Sequence, residues 1–210
     1  MRLNLNRIID TIRHIREYIF PVKKLTDKFK SINSIQHLES FIEERSAHVT
    51  QTTLYGYIKT RMGFKHTLMF EDKAFLKSID IAKWNIYVVA LTDCTFYTFS
   101  YLISKKKLKK NNAKDIFLKI LNNQRSNGLD LKTYDQGKSE FDSRFKDIDW
   151  NTYHQNDPFK MSGLALYKWS PIADNLKTLD KEIVLNSIKF KWNLVKSDFE
   201  KLTNNSDFIY

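Results

Sequence analysis

The sequence predicts an all-α protein, an irregular helical bundle around a long central helical hairpin. Only five Gly and three Pro occur in 210 residues, too few for the tight turns that a β-sandwich or barrel needs about every ten residues. Long stretches instead carry apolar residues at three- and four-residue steps. Hydrophobic residues make up 42% and aromatics 14% of the chain, enough apolar material to offset the entropy of ordering it. The length suits one domain. Its expected parts are a basic amphipathic segment over residues 1–30, a hairpin over 34–103, and packing helices with a long polar loop over 104–210.

The first predicted helix carries Leu5, Ile8, Ile12, Ile15 and Ile19, which fall within about 80° of one another at 100° per residue. Pro21 ends it, because the proline ring disfavours helical geometry in the residue before. Two readings stay open for this basic helix: it lies on an anionic membrane surface or a partner, or it packs on its own core. A second helix runs from Ser34, a suitable N-cap, to Gly63. Leu38, Phe41, Ile42 and Val49 form its first apolar face, with Arg45 in the middle. The face then moves to Leu54, Tyr57, Ile58 and Met62, and the change beside Gly56 predicts a kink or a close helix contact.

A third helix is expected from about Asp72 to Ile103. Its centre is apolar on nearly every side, from Ile79, Ile81 and Trp84 to Phe99 and Leu102, so it is the hub of a bundle or a membrane span. Asp93 weighs against a span, since a carboxylate there costs roughly 2.5–3.5 kcal/mol on insertion scales; Thr92, Thr95, Thr98 and Ser100 add to this. In a hub, Asp93 needs a partner, and Arg45 is the expected one, with His48 second. A functional alternative is a polar pocket built from Arg45, His48, Gln51, Tyr55, Asp80, Lys83 and Asp93.

A short helix follows through Ile116, Leu118, Ile120 and Leu121. Residues 122–158 show no clear period and read as a long loop with one helical turn near Phe141–Phe145. Trp150, Tyr153, His154 and Trp169 in this irregular region line a ligand groove or anchor the core. The last helix, about Asp180 to Leu202, shows a coiled-coil-like seam of Ile183, Val184, Ile188, Trp192, Val195, Phe199 and Leu202.

The formal charge is +11. Lysines outnumber arginines 27 to 8, so part of the basicity reflects AT-rich coding, and only its distribution informs on function. Residues 1–30 hold eight Lys or Arg, among them Arg7, Arg13 and Arg16, against Asp10, Glu17 and Asp27, a net of +5. Lys105, Lys106, Lys107, Lys109 and Lys110 add another +5. These two clusters mark the expected surface for an anionic partner, membrane lipid or RNA, bound in a salt-dependent way.

Catalytic templates fail on this chain. It contains no Gly-x-Ser-x-Gly pentapeptide, phosphate-cradling glycine loop or Gly-x-Gly-x-x-Gly fingerprint. His14, His37, His48, His66 and His154 are scattered, and Glu44 with His48 has the wrong spacing for a di-iron helix. No metal or cofactor is expected. Cys94, the single cysteine, forms no internal disulfide, which points to a reducing, cytoplasmic setting.

The stretches FIEERSAHVTQTTLYGYIKTRMG (Phe41 to Gly63) and MFEDKAFLKSIDIAKWNIYVVALTD (Met69 to Asp93) resemble a small family of uncharacterised alphaproteobacterial proteins. Some of its members bear the designation esterase. The resemblance implies, as the alternative to a non-catalytic binding module, a small hydrolase with Ser46, His48 and Asp93 as the nearby serine, base and acid. A serine and a base two residues apart on a helix make poor geometry for that chemistry.

Overall fold

The structure is a computed structural model and describes residues 31–63 and 71–204. The basic helix expected within residues 1–30, with Arg7, Arg13 and Arg16, lies outside them. The described residues form six α-helices in order: α1 (Ile35–Met62), α2 (Lys73–Ser104), α3 (Asn111–Ser126), α4 (Leu131–Asp147), α5 (Lys160–Trp169) and α6 (Asp174–Asn204). A short 3-10 turn, Tyr153–Gln155, precedes α5. The described residues hold no strand, so the all-α expectation stands.

Helix α1 begins where Ser34 accepts a hydrogen bond from the His37 N–H at 3.2 Å, and it ends at Gly63, whose φ of 53° suits glycine. The close helix contact expected at Gly56 is not formed among the described residues. Gly56 is exposed and a Cβ there would meet nothing within 4 Å.

Helix α6 runs antiparallel to α1, since Tyr57 meets Asp180 and Arg45 meets Asp198. It runs parallel to α2, since Tyr97 meets Glu200 and Tyr101 meets Asn204. Helices α1 and α2 are therefore antiparallel, as the hairpin reading required.

Helix α2 is the hub and packs against α1, α3, α4 and α5. It is long and apolar enough to cross a membrane, with mean hydropathy 1.4 over its best window, and 89% of that window is buried within the bundle. Its threonines do not leave the core short of partners. Thr92, Thr95 and Thr98 donate to the carbonyls of Val88, Leu91 and Cys94 at 2.8–3.0 Å, which satisfies each hydroxyl inside its own helix.

Residues 122–158 depart from the expected loop. Asp130 caps α4 by accepting from the Thr133 N–H, and α4 packs antiparallel on α3 through stacked Phe117 and Phe141, 3.9 Å between ring centres. Its buried positions are Thr133, Gly137 and Phe141. Gly137 sits where an apolar residue would have completed the helical period. A Cβ there would overlap the Val88 side chain, so the close α2–α4 contact itself removes the sequence signal.

Two further corrections concern the apolar lists. Ile81 of α2 and Ile183 of α6 are exposed, while Val184, Ile188, Trp192, Val195 and Phe199 do form the buried seam of α6.

Candidate functional site

Asp93 lies fully buried on α2, and its partner is Arg144 of α4, not Arg45. Arg144 Nη2 donates to Asp93 Oδ1 at 2.6 Å. The other carboxylate oxygen accepts from both the N–H and the hydroxyl of Ser162, at 2.8 and 2.6 Å. Asp93 thereby caps the first turn of α5 from another helix, where a negative charge is favoured.

Arg144 also donates to the Tyr153 hydroxyl at 2.9 Å, and Tyr153 donates on to the Pro158 carbonyl at 2.9 Å. Burial pushes the Asp93 carboxyl above its ordinary range, against the pull of Arg144 and Ser162. Burial also opposes the charge on Arg144, but Asp93 beside it outweighs that, and the guanidinium is held charged. This network ties α2, α4 and the start of α5 together. Arg144 carries no sequence signal as a partner because α4 lacks the apolar period that marks a helix.

Arg45 finds a different acid, Asp198 of α6, at 3.5 Å, and lies over the Phe41 ring. Ser46 is fully buried and donates to the Ala90 carbonyl at 3.5 Å. The neighbouring Cys94 thiol is pushed up to about 12 by burial. His48 is half-buried; burial, Arg45 and Lys191 all lower its pKa.

Asp80 pairs with Lys83 one turn away at 2.7 Å, and Lys83 lies over the Trp84 ring. Gln51 and Tyr55 are half-buried on α1. Arg45, Asp93 and the Asp80–Lys83 pair thus enter separate ion pairs.

Among the described residues, two of the open grooves are lined by none of those residues. One, about 550 Å³, lies between α5 and α6 with Phe159 and Trp192 among its lining residues. The other, about 680 Å³, is lined by Ile81, Gly137, Glu140 and Trp169 among others. Of the aromatic residues considered for a groove, Trp169 lines the second. Trp150 is a core anchor, edge-on to Phe96 and Phe145. His154 is bonded to the Ser100 hydroxyl through both its N–H and its Nδ1.

The lysine loop is a defined structure. Helix α2 ends with the Lys106 N–H bonded to the Ile103 carbonyl and the Lys107 N–H bonded to Leu102. Lys106 takes the left-handed position, φ 58°, where glycine is usual. Leu108 is buried and pins the loop. Lys105, Lys106, Lys109 and Lys110 are exposed.

Lys107 turns inward and donates to the Thr203 carbonyl at 2.7 Å, capping the C-terminus of α6. The adjacent carbonyl, Leu202, accepts from the Ile32 N–H at 2.9 Å. The chain that follows the basic segment 1–30 therefore joins the bundle beside the lysine loop. Ile32, which follows the basic segment in sequence, and Lys107 of the lysine loop thus bond to neighbouring carbonyls at one end of α6.

Fold and contacts define a helical bundle with a basic end. No protein family, curated protein or solved structure matches the chain.

Proposed function

We propose that this protein is a non-catalytic binding module that docks its basic end on an anionic membrane surface, peripherally and on the cytoplasmic side. The observation that carries the reading is the meeting, at Leu202 and Thr203, of the lysine loop and Ile32, which follows the basic segment 1–30 in sequence. Juxtamembrane basic clusters gain about 1 kcal/mol per Lys or Arg near an anionic leaflet. Lys105, Lys106, Lys109 and Lys110 present four exposed charges from a loop pinned by Leu108. The segment that joins beside them pairs Arg7, Arg13 and Arg16 with an isoleucine stripe, the composition of an interfacial helix.

Lipid is favoured over RNA because single-stranded RNA is gripped largely by stacking on exposed aromatic rings. Among the described residues, the large exposed apolar side chains include one aromatic, Phe190, which lies on α6 and outside the lysine loop.

Flotation with vesicles tests the reading. Binding to vesicles containing phosphatidylglycerol, weakening as salt rises and absent with phosphatidylcholine alone, is expected. Failure to bind the anionic vesicles, or tighter binding to a single-stranded RNA oligomer than to lipid, would overturn it.

A further inference from the structure

The groove between α5 and α6 takes its shape from how the two helices meet. Phe159, just before α5, stacks on Trp192 with ring centres 4.1 Å apart, and a Cβ on Gly163 would stand 3.2 Å from Leu185 and 3.6 Å from Ile188. Moving forward along α5 thus moves backward along α6. Lys160, one residue after Phe159, stands level with the turn of α6 around Trp192, and Lys189 and Lys196 lie one turn to either side. All three lysines line the groove. Lys160 and Lys189 are exposed, and half-buried Lys196 lies over the Tyr97 ring.

Among the described residues, none of the three lysines forms an ion pair. The one acid lining that end is Asp157, which leaves a local charge of +2. The other lining acid, Glu182, lies about 15 Å along α6 from Trp192, beyond Leu185. Leu164, 38% exposed, follows Gly163 and stands level with half-buried Leu185. The groove is therefore cationic at one end and apolar, closed by an acid, at the other. Its volume of about 550 Å³ falls in the range of small-molecule sites, where a mostly apolar wall carries a few charged groups that orient the ligand.

We infer that this groove binds a single-chain amphipathic anion, with a carboxylate or phosphate head between Lys160, Lys189 and Lys196 and an alkyl tail along Leu164 and Leu185. Glu182 fixes the direction, because the reversed ligand would set its head beside a like charge. Lys196 to Glu182 spans about 21 Å of helix, room for an extended chain. The site lies in the wall of the bundle and takes one amphiphile at a time, so it does not depend on vesicle docking by the lysine loop.

Titration of the full chain with decanoate and with decyl phosphate, each below its micellar concentration, tests the inference by calorimetry and by NMR of the Trp192 indole N–H. That indole lines the groove and has no acceptor among the described residues, so its resonance responds to a ligand packed beside it. Saturable one-to-one binding that shifts this resonance is expected, with decanol bound at least about tenfold more weakly, and the tighter of the two anions names the head group. Lys160→Gln/Lys189→Gln, at exposed positions, should weaken binding about tenfold by removing two partly exposed charge contacts. Lys106→Gln/Lys109→Gln/Lys110→Gln should bind as the parent does. Absence of saturable binding, decanol bound as tightly as the anions, or a loss of affinity in the loop variant in place of the groove variant overturns the inference.

Discussion

Arg144 and Asp93 sit 51 positions apart in sequence and 2.6 Å apart in space, and together they hold α4 against the hub helix. Removing one member of a buried pair strands the other, at a cost of about 3–5 kcal/mol. Arg144→Ala is therefore expected to lose about that much in urea unfolding. The double variant Arg144→Ala/Asp93→Ala should lose less than the sum of the two single changes, because the second change removes the stranded charge.

Gly137 is expected to tolerate no side chain. Alanine there would overlap Val88, and overpacking of a core contact costs about 1–3 kcal/mol. Thermal unfolding of Gly137→Ala should show that loss, and adding Val88→Ala should not deepen it by the full cost of a core truncation, because the space vacated is the space the new methyl needs.

Lys106 holds a backbone conformation that L-residues adopt at a cost of about 1–2 kcal/mol. Lys106→Gly is expected to stabilise the fold by about 1 kcal/mol, the strain relieved less the added freedom of the unfolded chain. The same change should weaken binding to anionic vesicles. Opposite signs for stability and binding would separate the backbone role of this position from the role of its charge.

The pH dependence follows from His48 and His154. Burial lowers both below the ordinary 6.5, with Arg45 and Lys191 adding to the shift at His48 and Lys196 at His154. Below about pH 6.5 the unfolded chain then binds more protons than the folded one, so this contribution to stability is present above that pH and is lost as pH falls. Asp93, raised by burial, acts with the opposite sign at acid pH. The check is therefore a difference: between pH 7.5 and 5 the parent should lose more stability than His48→Asn/His154→Asn.

Much of the architecture was legible because burial imposed a helical period on large side chains. Ser34 and Gly63 bracketed α1, and the all-round apolarity of Ile79–Leu102 marked a hub. Helix α4 was hidden because its tightest contact is made by a glycine, which carries no hydrophobic signal. With α4 unread, Arg144 was not available as a partner, and the wheel positions of Arg45 and Asp93 suggested a pair that α6 and α4 in fact divide between Asp198 and Arg144. The basic clusters were visible as runs, but nothing local shows that residues 32 and 107 meet neighbouring carbonyls at 202 and 203. That closure is set by tertiary packing.

The central claim, that the basic end engages anionic lipid, is tested most directly by vesicle affinity of Lys106→Gln/Lys109→Gln/Lys110→Gln beside the parent. All three lysines are exposed, so folding is expected to survive. At about 1 kcal/mol per lysine the variant should bind phosphatidylglycerol vesicles roughly a hundredfold more weakly, with a shallower salt dependence. Equal affinity of the two proteins would contradict the account.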